Sequence, residues 1–197
     1  MASTASSYAS ASENDTVQTS PGVAHRHIDD KYISMDKFLL PKENFEKEVH
    51  RLHNTFVDWF TCQIDNNESN FNRIEKSMDV SFHIINPQGI CTNRQPLLDS
   101  LKNAYGCRKG ETFEIECKNL QLLYSLYSSS SSSDKDGSTG SGSAVADTTY
   151  LVTYEEWHTM GTVKTARITS ALFKYDPELP HQLKWVHVHE TWMPVKG

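Results

Sequence analysis

Four side chains in the C-terminal quarter of the chain have the chemistry for proton transfer: Glu156, Arg167, His187 and His189. A histidine exchanges a proton near neutral pH, an arginine can hold a carboxylate or an enolate, and a glutamate can act as a base. If all four face one cavity, they can carry acid–base chemistry without a cofactor. The competing interpretation is structural, because an ion pair of Arg167 with a glutamate and hydrogen-bonded histidines also stabilise a sheet.

Aromatic residues accompany these polar positions along the chain. We expect ligand contacts from Tyr150, Tyr154, Trp185 and Trp59, which suit a small apolar or aromatic molecule. For Trp59 the alternative is a place in the hydrophobic core. His53 is interpreted in the same way, as a core or pocket-rim residue.

Metal binding has weaker support in the sequence. The spacing His187-x-His189 lets two imidazoles reach one ion from a strand, but a third ligand would have to come from His158 or Glu156. The four cysteines stand apart and match no zinc-binding spacing. We predict no metal and no cofactor, and we interpret the cysteines as thiols in a reducing compartment.

Three long strands, near 148–159, 163–175 and 183–193, must position the candidate residues. Side chains two residues apart on a strand share a face. This rule predicts a common pocket face for the following residues: Tyr150, Tyr154, Glu156, Arg167, Trp185, His187 and His189. The strand before them changes its apolar phase between Cys117 and Leu120, which indicates a β-bulge and a bent sheet.

Helical spacing dominates the first half of the chain. Phe45, Val49, Leu52, Phe56, Phe60 and Ile64 form one stripe, which predicts a helix of about 24 residues. Two shorter helices and one short strand follow before the four long strands. The order predicts an α+β fold with a curved, mostly antiparallel sheet wrapped around a long N-terminal helix, which makes a cone with a pocket.

Composition separates one domain from two polar segments. We predict a single domain over 41–195, a disordered tail over 1–40 and a disordered Ser/Gly-rich hairpin insertion over 128–147. The two segments carry four of the six net negative charges, so the remainder is nearly neutral. A domain without a basic stripe is not expected to bind nucleic acid. No apolar run is long enough to span a membrane.

The N-terminus has neither the apolar run of a secretory signal nor early arginines, so we expect a cytoplasmic location. Its richness in serine and alanine leaves organellar targeting as the alternative, although Glu13 and Asp15 argue against it.

The order of elements from Phe45 to Met193 resembles the nuclear transport factor 2-like superfamily, in its SnoaL-like or ketosteroid-isomerase-like branch. The closest likeness lies in Leu183-Lys-Trp-Val-His-Val-His-Glu-Thr-Trp192, with support from Thr153-Tyr-Glu-Glu-Trp157 and Ala166-Arg-Ile-Thr-Ser-Ala171. The resemblance implies a cone with a pocket and a homodimer formed through the exposed sheet face. The Asp and Tyr set of ketosteroid isomerases has no match at corresponding positions.

Three functions follow as hypotheses. The first is a domain that binds a small apolar or aromatic molecule in the pocket. The second is a non-catalytic dimerisation module, which would bury aromatics such as Trp157 and Trp192 between subunits. The third is a cofactor-independent isomerase, dehydratase or cyclase.

Overall fold

The computed structural model describes residues 40–127 and 148–195, which form three helices and six strands. The helices are α1 (Lys42–Thr61), α2 (Glu68–Ser77) and α3 (Arg94–Asn103). The strands are β1 (Met78–Ile85), β2 (Cys91–Asn93), β3 (Phe113–Tyr127), β4 (Thr148–Met160), β5 (Val163–Tyr175) and β6 (Leu183–Met193). The predicted insertion 128–147, and all but the last residue of the predicted tail 1–40, lie outside the described residues.

The strands form one sheet in the order β2-β1-β6-β5-β4-β3. Only β1 and β6 run parallel, and the other neighbouring pairs are antiparallel. This architecture confirms the α+β class and the mostly antiparallel sheet. The three-residue strand β2 is an addition that the hydrophobic pattern did not indicate. None of the three described helices is long and apolar enough to cross a membrane.

Helix α1 packs its apolar stripe against the sheet. Phe45 contacts Tyr150 and Phe173 edge to face, with ring centroids 5.1 Å and 6.2 Å apart. The helix has 20 residues and is shorter than the predicted 24, because Cys62 adopts a left-handed backbone with φ 61°. That conformation ends the regular hydrogen bonding, and the Gln63 amide donates to the Asp58 carbonyl instead.

The bulge predicted in β3 is confirmed. The β3–β4 register shifts between Lys118 and Gln121, and Asn119 has a φ of 54°. A second shift, between Leu122 and Tyr124, was not predicted. It leaves the Tyr124 side chain exposed, although the alternation had placed it with the apolar set.

A further bulge in β6 corrects the predicted pocket face. Leu172 pairs with His187 whereas the next residue, Phe173, pairs with Trp185, so Val186 is one extra residue on β6. The alternation therefore changes phase at Val186. Trp185, Val188 and Glu190 face inward and are buried. The predicted common face was wrong for His187 and His189, which lie on the opposite face of the sheet from the pocket.

Candidate functional site

A pocket of about 190 Å³ lies between α1, α3 and the inward face of the sheet. Its walls are mainly apolar and include Phe56, Phe60, Phe82 and Trp185. Six polar side chains also line it: His53, Tyr154, Glu156, His158, Arg167 and Glu190. A mainly apolar cavity with a few convergent polar groups is typical of a small-molecule site.

The pocket contains half of the side chains singled out from the sequence. Glu156, Arg167, Tyr154 and Trp185 line it, whereas Trp59 and Tyr150 do not. The Trp59 indole donates a hydrogen bond of 2.8 Å to the Leu101 carbonyl, and its side chain is fully buried. Tyr150 is likewise buried, against Phe45. The ligand contacts predicted for these two were wrong, because helix packing covers them.

Regular pairing of three strands sets the spacing of the polar side chains. Glu156 on β4 lies directly opposite Arg167 on β5. Two residues further along the sheet, Tyr154 pairs with Thr169, which in turn pairs with Glu190 on β6. Because side chains opposite each other project to the same face, the sheet presents two adjacent polar rows to the pocket.

The side chains of these rows and of α1 form a buried ionic cluster, which we define as His53, Glu156, Arg167 and Glu190. Arg167 Nη1 donates to Glu190 Oε2 at 2.7 Å, and its Nη2 lies 3.5 Å from Glu156 Oε1. The other oxygen of Glu156 is 3.3 Å from His53 Nε2. Opposite charges therefore alternate along the cluster, which offsets the cost of burying each of them.

His53 is held as an imidazolium by its two neighbours. Its Nδ1 lies 2.7 Å from the Val49 carbonyl oxygen, and its Nε2 faces the Glu156 carboxylate. Both partners accept hydrogen bonds, so both ring nitrogens donate. Burial lowers the pKa of His53, but the Glu156 carboxylate and the Cys117 thiol outweigh burial and raise it well above its ordinary value.

Glu156 is the anion at the centre of the cluster. His158 Nε2 lies 2.5 Å from Glu156 Oε1 and 2.8 Å from Arg167 Nη2. The Arg167 guanidinium can only donate, so His158 Nε2 would have to accept from it, whereas the same nitrogen must carry a proton to donate to Glu156. One ring nitrogen cannot do both at once. We therefore assign a proton to His158 Nε2, which donates to Glu156. Burial raises the pKa of Glu156, but His53, His158 and Arg167 hold it well below its ordinary value.

Tyr154 and Glu190 have the opposite electrostatic character. Burial and the nearby Glu156 charge raise the pKa of Tyr154 well above its ordinary value, so its hydroxyl keeps its proton. Burial and the Glu156 charge also raise the pKa of Glu190, although Arg167 opposes the shift. The pocket thus combines a permanent hydroxyl donor with a carboxyl group that binds a proton more readily than Glu156.

Sequence reasoning missed the pocket role of His158 and Glu190, whereas it gave His53 as a core or pocket-rim residue. Alternation placed Glu190 on the opposite face from Trp185, and nothing in the sequence marks the bulge that reverses this. His158 shares the parity of Glu156 on β4 and could have been included. His53 lies beside the apolar stripe of α1, where it reads equally well as a core residue.

On the other side of the sheet, His187 packs against His83, with ring centroids 4.3 Å apart. The Nδ1 of His187 lies 3.1 Å from the His83 carbonyl oxygen, so it donates there. Burial and the charges of His83 and His189 lower the pKa of His187. Across residues 40–127 and 148–195, no three or more histidine, cysteine or acidic side chains stand in a metal-binding group.

Comparison with known proteins identifies the fold of the chain but not an activity. No family model matches the chain. It is 23% identical over 154 residues to sucrose-phosphatase 1 of Nicotiana tabacum, a match that covers 77% of this chain and 32% of that protein. The chain therefore spans about a third of the length of this curated relative.

Two solved structures superpose well on most of the chain. A nuclear transport factor 2-like protein of unknown function from Pseudomonas aeruginosa has a TM-score of 0.58 at 19% identity, covering 77% of this chain and 99% of its own. The beta subunit of benzoate 1,2-dioxygenase from Burkholderia mallei has a TM-score of 0.51 at 10% identity, covering 79% and 92%. The architecture, the strand order and these superpositions together show that the chain has the nuclear transport factor 2-like fold.

Proposed function

We propose that the domain binds a small, largely apolar molecule in the pocket between its helices and its sheet. The observation that carries the proposal is a cavity of about 190 Å³ with aromatic walls and a charged cluster on one side. This volume corresponds to about six water molecules and lies below the range usual for drug-sized ligands. The ligand is therefore expected to be about the size of a substituted benzene ring.

Electrostatics favour binding over catalysis as the primary role. Glu156 is surrounded by His53, His158 and Arg167, and its low pKa makes it a poor proton acceptor. His187 and His189 face away from the cavity, so the proton-transfer hypothesis loses two of its four residues. A cofactor-independent isomerase, dehydratase or cyclase stays as an alternative, with Glu190 as the group best suited to exchange a proton.

The likeness to sucrose-phosphatase 1 is consistent with a binding module. A stretch similar to this chain makes up only about a third of that longer protein, and the rest of it has no counterpart here. We therefore do not transfer the activity in that name to this chain. Sucrose is strongly polar, and we expect it not to displace an apolar ligand from the pocket.

Titration of the full chain with propylbenzene, followed by calorimetry, tests the proposal. Saturable one-site binding is expected. Leu97 lines the pocket on α3, and Leu97→Trp should fill the cavity and abolish binding. The matched control is Leu126→Trp on β3, where the side chain is exposed and the titration should be unaffected. No saturable binding by the wild-type chain, or equal binding by both variants, would refute the proposal.

A second role, dimerisation, is supported by a different surface. The sheet face opposite the pocket has apolar side chains that no described helix covers, including Leu151, Ile168 and Leu172. We propose that a second copy of the chain packs on this face. Of the two aromatics expected in such an interface, Trp157 lies on this face, whereas Trp192 stands near Arg167 on the pocket side.

A further inference from the structure

We infer that the pocket selects an uncharged ligand with a hydroxyl group, which bonds at once to Tyr154 and to Glu190. The inference rests on the proposed function, because it specifies the ligand of the same pocket. It follows from hydrogen-bonding groups of two pocket residues that the protein leaves unused beside the apolar walls of the cavity.

Tyr154 supplies the first unused group. Its side chain lines the pocket and the residue is only 2% exposed, yet among the described residues none forms a hydrogen bond with its hydroxyl. Among the described residues, the buried side-chain oxygens without a partner belong to Thr148 and Thr169, so the Tyr154 hydroxyl is open to the cavity and a ligand can reach it. The hydroxyl of Tyr105, by contrast, donates to the Ile64 carbonyl at 3.0 Å. A ligand atom that accepts a hydrogen bond would give the Tyr154 hydroxyl a partner.

Glu190 supplies the second unused hydrogen-bonding group. Arg167 occupies its Oε2, whereas within the described part of the chain Oε1 accepts no hydrogen bond. The residue is 7% exposed and lines the same pocket. A carboxylate oxygen accepts readily, so this atom calls for a ligand donor.

The sheet places the two side chains in one row on the same face. Tyr154, Thr169 and Glu190 lie opposite one another on β4, β5 and β6, so the outer two backbones are about 10 Å apart. The long side chains of Tyr154 and Glu190 both project into the cavity across the shorter Thr169. The Thr169 hydroxyl is itself buried and has no partner among the described residues. One ligand hydroxyl between Tyr154 and Glu190 can accept from the former and donate to the latter.

The charges of the ionic cluster disfavour an ionised ligand. The cluster already holds two carboxylates, one guanidinium and one imidazolium, so it is close to neutral. A carboxylate ligand would face Glu156 and Glu190, while Arg167 Nη1 is bonded to Glu190 and its Nη2 faces Glu156. An ammonium ligand would face Arg167 and His53. A neutral hydroxyl avoids both repulsions.

Four matched probes test the inference on the full chain: propylbenzene, 4-propylphenol, 4-propylanisole and 4-propylbenzoate. We expect 4-propylphenol to bind at least about tenfold tighter than propylbenzene and 4-propylanisole, and 4-propylbenzoate to bind weakest. Equal affinity for 4-propylphenol and propylbenzene would overturn the inference and leave the proposed function intact. No binding of any probe would overturn both.

The variant Tyr154→Phe tests whether the Tyr154 hydroxyl causes the preference for 4-propylphenol over propylbenzene. It should reduce the affinity ratio of 4-propylphenol to propylbenzene to about one, without lowering the melting temperature of the free protein, because no internal hydrogen bond is lost. The matched control Tyr105→Phe loses its bond to Ile64, so it should lower the melting temperature and keep the ratio. A Tyr154→Phe protein that keeps the preference, or that is destabilised like Tyr105→Phe, contradicts the inference.

Discussion

At the scale of single residues, the site depends on the Glu156 carboxylate. The fold buries this side chain and then surrounds it with His53, His158 and Arg167. A buried carboxylate in such surroundings is stabilising only while Arg167 and His53 are charged. Its electrostatic role can therefore be measured through the pH dependence of stability.

Glu156→Gln should lower the free energy of unfolding by about 3 kcal/mol, because Arg167 and His53 would remain buried without their central anion. The loss should be largest between pH 4.5 and pH 6.5, the ordinary pKa values of the two groups. Above this window, the stability due to the raised pKa of His53 is lost as pH rises through that pKa. Below it, the stability due to the lowered pKa of Glu156 is lost as pH falls.

Urea denaturation of the wild-type and variant chains from about pH 4 to about pH 9 measures this profile. Glu114→Gln is the matched control, because Glu114 is exposed on β3, and it should give a small difference that is flat with pH. A flat profile for Glu156→Gln would show that His53 and Glu156 are not coupled in the native state.

At the scale of elements, the strands show where the alternation of side chains along a strand predicts correctly which residues face the pocket. β4 and β5 pair without interruption from Thr149 to Met160, so Tyr154, Glu156 and Arg167 face the pocket as predicted. The first bulge of β3 could be predicted because its apolar residues change phase in the sequence. The bulge of β6 could not, because Trp185, His187, Val188 and Glu190 give neither parity a clearly apolar face.

Deleting single residues tests the bulge assignment. Deletion of Val186 removes the extra residue and keeps Trp185, Val188 and Glu190 on the inward face, so we expect a folded protein with reduced stability. Deletion of Ser170, from the regularly paired part of β5, should prevent folding, because it turns half of a buried strand inside out. Circular dichroism shows whether each deletion variant folds, and urea denaturation measures the stability of a variant that does. Equal damage from both deletions would show that Val186 is not an insertion in the ladder.

At the scale of the whole molecule, the fold follows from the order of elements more directly than the function does. Three helices before a set of long strands were enough to predict the architecture that the solved structures share. That architecture occurs both in a protein of unknown function and in a dioxygenase subunit, so it does not specify an activity. The features that bear on function here are the residues of the pocket and the sheet face that no described helix covers.

The sheet face that no described helix covers leads to a prediction about assembly. Leu151 and Leu172 are directly paired on it, and Ile168 is 46% exposed nearby. We expect the full chain to sediment as a homodimer at about 100 µM, because a patch of this kind on two copies can be buried by a two-fold interface. Ile168→Asp should place a charge in that interface and give a monomer that still binds propylbenzene, since the pocket lies on the opposite side.

The control Ile90→Asp, in the turn before β2, also exchanges an exposed isoleucine for aspartate and should stay dimeric. A wild-type monomer at this concentration would contradict the dimer, and a dimeric Ile168→Asp protein would place the interface on another surface.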